Sequence, residues 1–208
     1  MDRRFIITPT DRHLCPSMSQ AHVHSPVDEA DYLRGEETAA SKHEFVGGEI
    51  YAMVGASERH NRIALNIAFH LRSATRGKPC RAFMADMKLR LAGGTTYYYP
   101  DAMLVCDPDD DHPIYKQSPC LIAEVLSPAT ASVDVREKWA AYRGLASLRY
   151  YLLVDSERLW SRVFFRDEHD AWFEQELSAE DRIDVACDGT RLTLTLDDLY
   201  EDTGLLVV

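Results

Sequence analysis

Between Pro119 and Pro128 the chain reads CLIAEVLS, an apolar stretch carrying one acid, Glu124. A run this short, closed by proline, predicts a strand rather than a helix. A strand so apolar belongs at the centre of a sheet, covered on both faces. An isolated ionised carboxylate in such a place costs too much to persist, so Glu124 must be paired, protonated or metal-bound. A buried ion pair, or a strand end reached by water, would also account for it.

The surrounding pattern supplies the rest of such a sheet. Residues 1–24 read as an irregular tail, in which His22 and His24 form an incidental HxH pair. Residues 25–208 read as a single domain. Ser25 as cap and Pro26 at the first helical position open a helix through VDEADYLRGEE. KHEFV and EIYAMV flank Gly47-Gly48 as a hairpin. Ser57 caps a longer helix with Ile63, Ile67, Ala68 and Leu71 on one face, and Gly77 suits its stop. CRAFMADMKLRLA alternates like one half-buried strand, and YYYPDAMLVCD reads as another. A helix is expected from near Asp134 to about Gly144, and LRYYLLVDS as a further apolar strand. From Trp160 onward, short strands and turns end in RLTLTLDDLY. Hairpins mixed with helices predict an α/β fold with a mixed central sheet flanked by helices.

Two more charged residues stand where apolar ones belong. Asp101 opens an apolar strand and shares its face with Met103 and Val105; turn chemistry after Pro100 is the competing explanation. On a helix, Val135, Tyr142 and Leu145 fall within roughly 60° of Lys138. Lysine is seldom buried unless paired. An i,i+4 bond to Asp134 would occupy Lys138 without explaining why it faces inward.

Two carboxylates on neighbouring strands can share a hard divalent cation that keeps several waters, Mg²⁺ or Mn²⁺. A nearby lysine can hold the attacking water or offset developing charge. Together these are the parts of phosphodiester hydrolysis.

The segments KHEFVGGEIYAM, the His60-bearing helix, YYYPDAMLVCD and LIAEVLSPATASVDVREKWAAYRGL resemble, in this order, the Uma-type family of restriction-endonuclease-like proteins. That family is placed within the PD-(D/E)XK nuclease superfamily. The resemblance implies a restriction-endonuclease-like fold, with Asp101 and Glu124 as the acidic metal ligands. It further implies a metal-dependent nuclease, with DNA as the expected substrate. The superfamily's usual lysine would stand at 126, where this chain has Leu126; the resemblance moves that role to Lys138. Glu44 matches an additional acidic residue of the superfamily, although a solvated hairpin carboxylate explains it nearly as well. His60 is expected to serve its helix cap or the surface. Asp86 and Lys88 are read as exposed alternation, and Asp109, Asp110 and Asp111 as a polar loop.

A net charge of −11 argues against a protein that coats nucleic acid. With the absent lysine at 126, it keeps open an inactive member of the fold that binds a protein or nucleic-acid partner. The cysteines at 15, 80, 106, 120 and 187 show no paired spacing and are expected to be buried, reduced thiols of a cytoplasmic protein. No secretory signal or membrane span is read. Exposed strand edges and the apolar EIYAMV segment predict a homodimer.

Overall fold

A computed structural model describes residues 26–128 and 134–206. The tail over 1–24, the His22/His24 pair, Cys15, the Ser25 cap and the side chain of Asp134 lie outside the described residues.

The first helix, α1 (Glu29–Thr38), starts later than its sequence suggests. Asp28, not Ser25, is its cap and accepts the Asp31 N–H at 2.7 Å. Pro26 precedes the helix, and Val27 donates its N–H to the Gly48 carbonyl at 3.0 Å. The hairpin β1 (His43–Val46) and β2 (Glu49–Ala52) turns at Gly47 and Gly48 as expected. Both glycines hold positive φ, 60° and 94°, the pair of conformations this two-residue turn requires. Helix α2 (Glu58–Ala74) buries Ile63, Ala64, Ile67 and Leu71 and is capped by Ser57.

The segment expected to be one strand after Cys80 is two. β3 (Arg81–Met84) and β4 (Lys88–Leu91) are separated by a turn in which the Met84 carbonyl accepts the Met87 N–H at 3.1 Å. YYYPDAMLVCD divides likewise into β5 (Thr96–Tyr98) and β6 (Ala102–Val105). Pro100 has no N–H for a ladder, so the chain can leave one sheet there and enter another. Each pair is thereby split between two sheets. A five-stranded sheet runs β2-β1-β5-β4-β7, with β7 at Tyr115–Lys116. A six-stranded sheet runs β11-β10-β9-β8-β6-β3. It contains β8 (Pro119–Leu126), β9 (Tyr150–Asp155), β10 (Ser161–Arg166) and β11 (Trp172–Glu176). A separate hairpin, β12 (Ile183–Cys187) and β13 (Thr190–Leu194), precedes a short helix over Leu196–Tyr200.

Every residue of β8 is buried, as its composition demands. β8 pairs antiparallel with β6 and parallel with β9. A parallel neighbour cannot be reached by a tight turn and needs a crossover. Within that crossover, a π-helical turn over Asp134–Lys138 leads into α3 (Trp139–Tyr142). α3 packs Tyr142 against Met103, Ile122 and Leu126, while α2 covers Ala102, Leu104, Ala123 and Val125 on the opposite face. The mixed sheet flanked by helices is therefore present. The additional five-stranded sheet is what sequence periodicity did not reveal.

Four cysteines depart from the expectation of reduced thiols. Cys80–Cys106 and Cys120–Cys187 are disulfide-bonded. Arg81 pairs with Val105 across the antiparallel β3–β6 ladder, so the cysteines just beyond them face each other. No helix among the described residues is long and apolar enough to cross a membrane.

Candidate active site

The β6–β8 register brings the two sequence-selected acids together. Ala102 faces Ala123 and Met103 faces Ile122, so one step back along β6 sets Asp101 opposite Glu124. Directly opposed residues of an antiparallel pair project to the same face. Asp101 sits at the junction where the chain changes sheets, and its Oδ2 accepts the Val125 N–H at 2.7 Å. Turn geometry and a site role are thus compatible for Asp101.

Glu124 is 3 % exposed and Lys138 is 6 % exposed. The Lys138 ammonium lies 3.3 Å from Glu124 Oε1 and 2.9 Å from Glu44 Oε1. The Tyr142 hydroxyl donates to the same Glu124 oxygen at 2.8 Å. These contacts follow from helical spacing, since Lys138 and Tyr142 are four residues apart and share the face that meets the sheet. The Tyr98 ring lies 5.3 Å from the ammonium and packs edge-on against Tyr142. Burial and then the Glu124 charge push the Tyr142 hydroxyl well above its ordinary pKa, so it remains a donor. Burial, and next the Glu44 charge, raise Tyr98 as well.

Glu44, Glu124 and Lys138 therefore converge, and Glu44 is no solvated hairpin carboxylate. The ammonium is directed at Glu124 and Glu44 rather than at an Asp101–Glu124 pair. Asp101 instead meets His60, whose Nε2 is 3.4 Å from Asp101 Oδ2. His60 is expected to serve its helix cap or the surface; its backbone N–H does meet the Ser57 cap, yet its side chain is 16 % exposed. Its helical spacing to Ile63 and Ile67 was the available signal, because those residues mark the buried face of α2. In the sequence Tyr142 is one more residue of the apolar stripe, and periodicity does not reveal a partner for its hydroxyl.

The remaining candidates have local partners. Asp86 pairs with Lys42 and is largely exposed. The Lys88 ammonium lies 5.3 Å from the Tyr99 ring. Asp110 is buried, and its Oδ2 accepts the N–H groups of Gln117 and Ser118 at 2.7 and 2.8 Å, bracing the loop.

Asp101 and Glu124 offer hard oxygen donors. Among the described residues, no three His, Cys, Asp or Glu side chains are grouped closely enough to hold a metal. Two carboxylates are hard donors of the kind that Mg²⁺ accepts beside retained waters.

A family model described as "Putative restriction endonuclease", the Uma2 family, matches residues 29–197. Two relatives come from Synechocystis sp. "Uncharacterized protein slr1290" is 31% identical over 171 residues, 82% of this chain and 89% of the relative. "Uncharacterized protein sll1609" is 38% identical over 129 residues, 61% of this chain and 73% of the relative. A solved structure from Anabaena variabilis, titled a "putative nuclease belonging to DUF820", superposes with a TM-score of 0.68 at 15% identity. It covers 84% of this chain and 98% of its own, and shows that the two share a fold. By the extent of the family match and the relatives' coverage, this chain belongs to the Uma2 family of restriction-endonuclease-like proteins.

Proposed function

We propose that this protein is a metal-dependent nuclease that hydrolyses phosphodiester bonds, with DNA as substrate. The observation that carries the reading is the buried Lys138 ammonium between the Glu124 and Glu44 carboxylates. A buried ion pair with a third, partly buried carboxylate is a poor device for stability, because apolar residues of similar size often serve as well. Its better rationale is chemical.

Asp101 and Glu124 would hold Mg²⁺ or Mn²⁺. The bound cation supplies charge neutralisation at the phosphate and an acidified water. Lys138 would orient an attacking water and offset charge developing on the phosphate oxygens. Tyr142 fixes the Glu124 carboxylate by donating to one oxygen. Glu44 holds the lysine from the hairpin side, 2.9 Å from its ammonium. Lys138 thereby takes the role of the lysine that Leu126 does not supply.

The test is cleavage of single- and double-stranded DNA and RNA with Mg²⁺ or Mn²⁺, beside chelator and an Asp101→Ala control. Metal-dependent cutting that the control lacks is expected. Equal cutting by the control would remove the reading. Retained nucleic-acid binding without cleavage would favour an inactive binding module, a reading supported by Leu126 at the usual lysine position. The exposed edge strand β2, with Ile50 and Tyr51 facing out, supports a homodimer, and light scattering giving a monomer mass would count against it.

A further inference from the structure

We propose that His60 is a positioning residue that acts through Asp101, holding one carboxylate oxygen so that the other faces the cation. The inference rests on the metal-site reading above. Both recorded partners of Asp101 fall on a single oxygen. Oδ2 accepts the Val125 N–H at 2.7 Å and lies 3.4 Å from His60 Nε2. Oδ1 has no partner among the described residues. With Oδ2 held on two sides, Oδ1 would be the oxygen left to a cation. Carboxylates that bind metal are commonly held by polar neighbours, which fix their orientation.

The sequence sets His60 firmly for this task. Ser57 Oγ accepts the His60 N–H at 3.2 Å, fixing the first turn of α2. Ile63 and Ile67, one and two turns farther on, are fully buried and fix the rotation of the helix. The imidazole therefore overhangs the start of β6, where Asp101 stands. Asp101 and His60 are both largely covered, with side chains 18 % and 16 % exposed, so the contact is little loosened by water.

Mn²⁺ binding to the full chain, measured calorimetrically without nucleic acid, tests this role apart from cleavage. His60→Ala should weaken Mn²⁺ binding by about 10–100-fold, the usual effect of losing a partner behind a metal ligand. His60→Gln, whose amide can place an N–H group beside Oδ2, should recover most of that loss. Neither change removes the backbone N–H that caps α2, so thermal midpoints should stay near wild type. Nitrogen hyperfine coupling should be absent from the spectrum of bound Mn²⁺. Wild-type affinity in His60→Ala overturns the role while leaving the metal reading intact. A nitrogen coupling lost in His60→Ala overturns it by making His60 a direct ligand. Failure of the wild-type chain to bind Mn²⁺ would remove the metal reading and this role together.

Discussion

The Lys138 ammonium lies 2.9 Å from Glu44 Oε1, joining the crossover helix to a hairpin of the other sheet. A third group, Glu124 on the central strand, completes the contact at 3.3 Å. One cation thus ties the central strand and the crossover that follows it to a hairpin much earlier in the chain.

Lys138→Met keeps the aliphatic stem and removes the charge. It should lower cleavage by about 10²–10⁴-fold, as for loss of an acid–base group. It also leaves two carboxylates facing each other, and breaking a buried pair costs roughly 3–5 kcal/mol. The variant should remain folded by circular dichroism with a lower denaturation midpoint. Lys138→Arg should not fully rescue, since a planar fork does not replace a point charge. Wild-type cleavage by Lys138→Met would refute the assigned role.

Tyr142→Phe deletes only the hydroxyl that donates to Glu124 at 2.8 Å. Hydrogen bonds to charged groups contribute about 1.5–3 kcal/mol. Urea denaturation should show a loss of that order with an unchanged slope. No loss would mean that Glu124 does not depend on this donor.

Glu36 gives a pH prediction away from the site. Burial, the largest influence, pushes its carboxyl up. Tyr99, donating at 2.6 Å, and the His43 ring and amide together outweigh burial and hold it below its ordinary value. A folded value below the unfolded one stabilises the protein fully above about pH 4.3 and loses that contribution as pH falls through the folded value. Glu36→Gln should therefore be less stable than wild type at neutral pH, with the gap closing in acid. A gap that widens on acidification would reverse the assignment.

The disulfides predict a redox effect on stability. They close sequence separations of 26 and 67 residues. Each is expected to contribute about 3–4 kcal/mol by restricting the unfolded chain. Reduction should lower the thermal midpoint, and alkylation of the denatured, unreduced chain should label one cysteine of the five. Labelling of all five would show that the bridges do not form.

The sequence by itself determined the local elements and the residues that violate them. Glu124 in an apolar strand, Lys138 in an apolar helical stripe and Gly47-Gly48 between two strands were legible because periodicity and turn chemistry act over a few residues. Tertiary structure decided what these residues meet. The division of CRAFMADMKLRLA between two sheets depends on partners on β5, β6 and β7, so its alternating pattern alone reads as one strand. Asp101 could be a turn former or a site residue until the β6–β8 register set it opposite Glu124. The cysteine spacing showed no pairs, because Cys80 and Cys106 face each other only once β3 lies beside β6. His60 looked like a capping residue, and only the overhang of α2 at the start of β6 brought its ring to Asp101. Local pattern determines the direction in which a side chain leaves its element; the atoms it meets depend on sheet register and crossover, which form only when distant segments pack.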